Sequence, residues 1–261
     1  MKIVVSIDSF KGSLTSAEAG ASLREGMLRA VPDAQIVIKP LADGGEGTAE
    51  ALAEGMGGSW IQTEVSGPLN ERREVSYGWI SRKRLAVMEM AAAAGLTLIP
   101  AGERNGLHTT TYGVGEMIRD ALRRGAREFI LGIGGSATND CGLGMMTALG
   151  IKFLDEFGKE AGITGEDTGR VRRIDCSGLL PELKECRFQA ACDVTNPLYG
   201  PAGATYVYGP QKGIAPSELA LMDDYHKNFA RCTEAAVGRD FSQRPGAGAA
   251  GGLGFALLAF L

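Results

Sequence analysis

Glycines gathered at the ends of apolar runs constrain this chain more than any other feature. Three clusters stand out: Gly44-Gly45-Glu46-Gly47, Gly132-Ile133-Gly134-Gly135, and the run from Gly246 to Gly254. Glycine adopts backbone conformations closed to other residues and lets a backbone come close to a neighbour. A cluster at the end of a strand therefore reads as a specialised loop. The chain holds 38 glycines among 261 residues, grouped and without a period, which excludes a collagen-like repeat.

The runs between the clusters read as α/β. Residues 3–7 form an apolar run that predicts a buried parallel strand. Thr15-Ser16-Ala17-Glu18 fits a capping box, and Leu23, Met27 and Val31 then mark one helix face. Residues 35–40 predict a second strand, and 48–56 a second helix closed by Gly57-Gly58. Strand, helix, strand, helix opens an α/β fold with parallel strands. Further strands are expected at 60–65, 73–80, 85–90, 129–133, 152–155, 188–192 and 205–207. Helices are expected at 111–124, 143–149 and 217–237, with a last one opened by the glycines after Pro245. A domain edge near Gly67-Pro68 divides the chain into 1–70 and 71–261.

Charge and composition exclude several classes. The 27 Lys and Arg against 31 Asp and Glu leave −4 at pH 7, which gives no general electrostatic case for nucleic acid or anionic membrane. Nine Phe, six Tyr and two Trp do not advertise a base-stacking surface. No apolar stretch reaches the ~18 residues of a membrane span, and Met1 to Val5 resembles no signal peptide. Five cysteines without a CxxC pair are expected to be reduced thiols of a cytoplasmic protein. Two histidines, His108 and His226, argue against a His-rich zinc site and a Ser-His-Asp hydrolase; His108 reads as a loop residue. The apolar run ending at Leu261 reads as the end of a fragment, or as a helix whose packing partner is missing.

Six segments carry candidate chemistry. Asp8, Ser9 and Lys11 follow the first strand, where an open parallel sheet binds ligands. They suit orienting a substrate and holding a phosphate. Asp43, Gly44, Gly45 and Glu46 combine close backbone approach with carboxylates, which suit Mg²⁺ beside phosphate. Gly134, Gly135, Ser136, Thr138 and Asp140 form a Gly-rich turn after a buried strand, able to offer donors to phosphate oxygens and one carboxylate. That turn lacks the Gly-Lys-Ser/Thr of a Walker A loop and the GxGxxG fingerprint. Asp193 and Asn196 stand at a strand end, suited to metal or substrate hydroxyls, and Lys212 in a Gly- and Pro-bounded loop suits phosphate. Gly248, Gly251 and Gly252 allow close approach to a ligand or to another helix. Glu89, a carboxylate in an apolar setting, binds substrate or pairs with an arginine.

Together these segments resemble the two-domain bacterial glycerate kinase family. The matching stretches are DSFKGSL, LADGGEGT, MEMAAAAGL, GIGGSATND, ACDVTNPLYGPAGA, GPQKG and PGAGAAGGLG, in order from residue 3 to residue 254. The resemblance implies two α/β domains with largely parallel or mixed sheets, the second inserted into the first. It implies a kinase that phosphorylates D-glycerate from ATP with Mg²⁺, giving 2-phosphoglycerate rather than 3-phosphoglycerate. The family continues past this point and carries a further motif, TGEGR followed by Ile or Leu and then Asp. The chain is therefore expected to be C-terminally truncated, with its first domain incomplete and its own activity impaired. Cys141 stands where the family commonly has a second glycine.

The site implied is a phosphoryl-transfer site, built on positioning and charge neutralisation. Asp8, Lys11 and Asp193 are the expected catalytic residues, with Asp8 orienting the glycerate hydroxyl. Ser9, Asp43, Glu46, Glu89 and Asn196 are expected to bind substrate. Gly44, Gly45, Gly134, Gly135, Ser136, Thr138, Lys212, Gly248, Gly251 and Gly252 are expected to hold nucleotide phosphates. Asp43, Asp140 and Asp193 are the candidate metal ligands. The expected partner is small-molecule substrate only, with no nucleic acid and no membrane, in a monomer or homodimer. The alternatives are a nucleotide-dependent oxidoreductase and a non-catalytic nucleotide-binding fragment.

Overall fold

The computed structural model describes residues 1–8, 10, 13–39, 41 and 47–261. In chain order the first elements are β1 (Lys2–Val5), α1 (Ser16–Ala30), β2 (Gln35–Ile38), α2 (Thr48–Gly55), β3 (Ser59–Ser66), β4 (Arg72–Ile80), β5 (Leu85–Glu89) and α3 (Met90–Ala94). They continue with α4 (Tyr112–Arg123), β6 (Glu128–Gly132), α5 (Leu143–Ala148), β7 (Lys152–Leu154), β8 (Arg173–Asp175) and β9 (Arg187–Ala191). The last three are α6 (Ala204–Tyr208), α7 (Leu219–Val237) and α8 (Ala249–Phe260). This is the expected mixed α/β class.

The capping box at α1 forms as read: Glu18 N donates to Thr15 Oγ1, and Thr15 N donates to the Glu18 carboxylate at 2.9 Å. β1 and β2 pair in parallel, Val5 opposite Ile38. The larger sheet runs β3-β4-β5-β6-β9, antiparallel across its first three strands and parallel across its last three. Strand alternation divides its two faces. Ala86 and Met88 of β5 enter the main core with Val114, Met117 and Ile118 of α4. Leu85 and Val87 face the other way, against Ala49 and Leu52 of α2 and Met56 just after it. A Cβ on Gly78 would stand 2.6 Å from that of Ala53, so glycine in β4 lets α2 lie on the sheet. Residue 70, the expected domain edge, lies in the turn between β3 and β4, two neighbours in this sheet.

One expected element changes class. The strand read at 205–207 from its Thr, Tyr and Val is the short helix α6. Gly203 and Gly209-Pro210 confine it to five residues, and tertiary hydrogen bonds of Thr205 outweigh β-propensity. α3 was hidden because the apolar run of β5 continues into it without a break. α8 starts irregularly, with Ala250, Gly251 and Gly252 at φ 53, 67 and 92.

Candidate functional site

The three parallel strands end side by side. Glu89 pairs opposite Gly132, and Gly132 opposite Ala191. Ile133 to Ser136 therefore leave the same sheet edge as Cys192 and Asp193. α2 begins at this edge too, because Glu89 Oε1 accepts from Ala49 N at 2.8 Å in its first turn. The carboxyl edge of parallel strands is where open α/β sheets bind ligands.

The loop after β6 has an open lip and a buried anchor. Gly134 is half-buried and Gly135 exposed, with φ 70. Ala137 to Asp140 are buried almost completely. Three successive carbonyls of the anchor are each taken by a side chain from a different element. Thr109 Oγ1 donates to Ala137 O at 3.1 Å, Lys212 Nζ to Thr138 O at 2.6 Å, and His226 Nε2 to Asn139 O at 3.0 Å. Asp140 follows. Its carboxylate accepts from Thr111 N, Thr111 Oγ1, Gly142 N and Gly144 N at 2.7–3.2 Å, which caps α5 and ties it to the start of α4. Burial pushes the Asp140 carboxyl up, and these donors partly oppose that.

Lys212 is 2% exposed, and its Nζ also donates to Ser136 Oγ at 2.8 Å. Burial lowers its pKa to about 7, and the charge of Asp140 only partly opposes the shift. His226 is likewise buried, with a pKa lowered to about 4 by desolvation.

Several expectations change on this geometry. Lys212 and Thr138 were expected to touch phosphate, but both lie beneath the loop, and Thr138 Oγ1 is buried without a partner among the described residues. Asp140 was a candidate metal ligand, but it is buried and committed to four protein donors. Gly248, Gly251 and Gly252 were expected to approach nucleotide, but they press on protein. Their Cβ atoms would stand 2.2 Å from Pro197 O, 2.0 Å from Thr138 O and 2.7 Å from Leu198 Cδ1. Asn196 was expected to bind substrate. Its amide donates to Ala202 O at 2.8 Å and accepts from Tyr208 at 2.7 Å, so it holds a turn.

Glu89, Gly134, Gly135, Ser136 and Asp193 remain at one sheet edge, with Asp193 exposed and Ser136 buried, its hydroxyl accepting from Lys212. Asp8 is half-buried just beyond β1. Ser9, Lys11, Asp43, Gly44, Gly45 and Glu46 lie outside the described residues. Among the described residues no three His, Cys, Asp or Glu side chains converge on a metal position, and no helix is long and apolar enough to cross a membrane. Sequence reasoning missed Thr109, Thr111, Thr205 and His226. The signal for His226 was its place on the buried face Met222, His226, Phe229, Ala230, Thr233 of α7. His108 is a loop residue beside Glu166, at 3.2 Å.

Comparison with known proteins places this geometry. The profile of the glycerate kinase family matches residues 3–261. Glycerate 2-kinase of Escherichia coli (strain K12) is 47% identical over 261 residues, covering 100% of this chain and 68% of the relative. Glycerate kinase of Bacillus subtilis (strain 168) is also 47% identical, with the same coverage of each chain. A crystal structure of a proposed glycerate kinase 2 from Salmonella typhimurium LT2 superposes with a TM-score of 0.92 at 44% identity. That match covers 100% of this chain and 70% of the other.

Proposed function

This chain belongs to the glycerate kinase family, and on that premise we propose how its residues transfer the γ-phosphoryl group of ATP to D-glycerate. The enzyme is a phosphotransferase with an alcohol acceptor, and the product is 2-phosphoglycerate, as the name of the Escherichia coli relative indicates. The observation that carries the site reading is the shared edge where Glu89, Gly132 and Ala191 end in register, with an open glycine lip beside an exposed carboxylate.

In this reading the lip Gly134-Gly135-Ser136 receives the nucleotide phosphates. Gly135 supplies the left-handed backbone that lets peptide N–H groups face an anion. Lys212 acts from below by holding Ser136, without touching phosphate. Asp193, exposed at the end of β9, fits an Mg²⁺ ion, which takes one or two carboxylates plus phosphate oxygens rather than an all-protein cage. The bound ion would neutralise charge on the phosphates. Asp8, at the end of β1, orients the glycerate hydroxyl and accepts its proton. Lys11, Ser9, Asp43, Gly44, Gly45 and Glu46 complete the reading from the sequence motifs they belong to.

The division into a first domain, 1–70, and an inserted second domain, 71–261, is part of the same proposal, as are a cytoplasmic location and a monomer or homodimer. The test is ADP release from Mg-ATP with D-glycerate, with ³¹P NMR of the product. A phosphomonoester on the 2-hydroxyl supports the reading. A signal from the 3-hydroxyl corrects the regiochemistry. Neither product from this chain, under conditions in which the longer Escherichia coli relative turns over, overturns it.

A further inference from the structure

Thr205 and His226 close a hydrogen-bonded ring on Asn139. Asn139 Nδ2 donates to Thr205 Oγ1 at 3.0 Å, Thr205 Oγ1 lies 3.3 Å from His226 Nδ1, and His226 Nε2 lies 3.0 Å from Asn139 O. All three residues are fully buried. A carbonyl oxygen only accepts, so Nε2 carries the proton. With Nε2 protonated in a neutral imidazole, Nδ1 accepts from the Thr205 hydroxyl, which itself accepts from Asn139; the Leu198 carbonyl is a second backbone acceptor at this ring.

Apolar residues at 205 and 226 would fill the same space but leave the buried Asn139 Nδ2 and carbonyl without these partners. Directed bonds of this kind select one geometry at the Asn139 peptide, although Asn139 Oδ1 itself has no partner among the described residues. Here they fix the peptide of Asn139, while Lys212 fixes Thr138 O and Ser136 Oγ and Thr109 fixes Ala137 O. The open lip is thereby held from one end by α6 and α7.

We propose that Thr205 and His226 are positioning residues for phosphoryl transfer. They touch no substrate, and they hold the 137–139 anchor so that Gly134, Gly135 and Ser136 keep the shape that receives nucleotide phosphates. The inference rests on the reading of that lip as the phosphate site.

The test compares Thr205→Val, which removes the hydroxyl at constant shape, with Thr205→Ser, which keeps it. Affinities for Mg-ATP and for D-glycerate are measured separately by calorimetry, and the imidazole ¹⁵N signals by NMR, where only two histidines need assignment. Thr205→Val is expected to weaken Mg-ATP binding about tenfold, leave D-glycerate within about twofold, and move the His226 Nδ1 signal. Thr205→Ser is expected to stay within about twofold for both ligands and to keep the Nε2–H tautomer. An Nδ1–H tautomer, or equal loss of both ligands, overturns the proposal. Gly135→Val, which alters the lip itself, separates the two readings. If it weakens Mg-ATP and Thr205→Val does not, this inference fails alone. If neither variant changes Mg-ATP binding, the lip reading fails with it. Should Thr205→Val not fold, His226→Gln, with one donor and one acceptor, must hold Mg-ATP better than His226→Leu; equal loss overturns the inference.

Discussion

Lys212 Nζ stands 2.8 Å from Ser136 Oγ, in a position 2% exposed and 76 residues away along the chain. A lysine placed to meet a phosphate keeps its head in water until the ligand arrives. This one is enclosed, and its second bond, to Thr138 O at 2.6 Å, goes into the backbone of the loop that it supports. It serves as a strut, and its burial carries an electrostatic cost.

That cost sets a pH dependence. The Lys212 pKa falls from an ordinary 10.5 to about 7 on folding. Between those values the unfolded chain binds the proton and the folded chain does not, so stability rises with pH through the window. The penalty is fully present below about pH 7. The gain across the window is at most about 5 kcal/mol, from the ~1.36 kcal/mol that each pKa unit represents. Urea denaturation at intervals from pH 6.5 to 10.5 should show this rise in the parent and its loss in Lys212→Met. Parallel curves for the two proteins would mean that the ammonium is solvated.

Much of this fold was legible in the sequence because its signals are local. The capping box at Thr15, the apolar runs of the parallel strands and the glycines after β6 all depend on near neighbours. The direction in which loop side chains point is not local. Lys212 between glycine and proline reads as a phosphate contact, yet the short turn at 210–212 aims it inward at residues 136–138. Gly251 reads as making room for ligand, and the room is taken by Thr138. Thr205 reads as a strand residue until His226 and Asn139, far along the chain, supply its partners. The edge that gathers Glu89, Gly134 and Asp193 was legible as three strand ends, and only register made them neighbours.

Glu89 should reveal itself as a helix anchor. Its Oε1 accepts from Ala49 N at 2.8 Å, in the first turn of α2. Glu89→Ala leaves that N–H without this acceptor and should lower stability by about 1–2 kcal/mol. Glu89→Gln keeps an acceptor oxygen and should remain within about 0.5 kcal/mol of the parent. Urea midpoints separate the two. If Gln is as harmful as Ala, the charge matters rather than the bond. A kcat loss in Glu89→Gln at unchanged stability would add a substrate role.

Gly251 tests the contact between the two glycine-rich segments. Its φ is 67, and a Cβ there would stand 2.0 Å from Thr138 O. Gly251→Ala adds left-handed strain of about 1–2 kcal/mol and forces the backbones apart, for a total loss of about 2–4 kcal/mol. The variant should unfold at lower urea and bind Mg-ATP more weakly, since Thr138 belongs to the anchor of the lip. An unchanged midpoint would show that the segments are not packed this way.

Asp140 and Asp193 were equal candidates as metal ligands in the sequence, and the structure separates them. Asp140 presents both oxygens to protein donors in a fully buried site. Asp140→Asn replaces an acceptor with an NH₂ that faces N–H groups, so a loss of about 2–4 kcal/mol is expected, seen as a lower Tm with or without Mg²⁺. Asp193 is exposed, and Asp193→Asn should stay within about 0.5 kcal/mol of the parent. Its effect should instead fall on phosphoryl transfer, with kcat lowered about 10²-fold or more and the Mg²⁺ concentration for half-activation raised. The comparison requires both assays on both variants. If Asp193→Asn destabilises the fold, or if Asp140→Asn folds normally and shifts only the Mg²⁺ dependence, the two assignments are reversed.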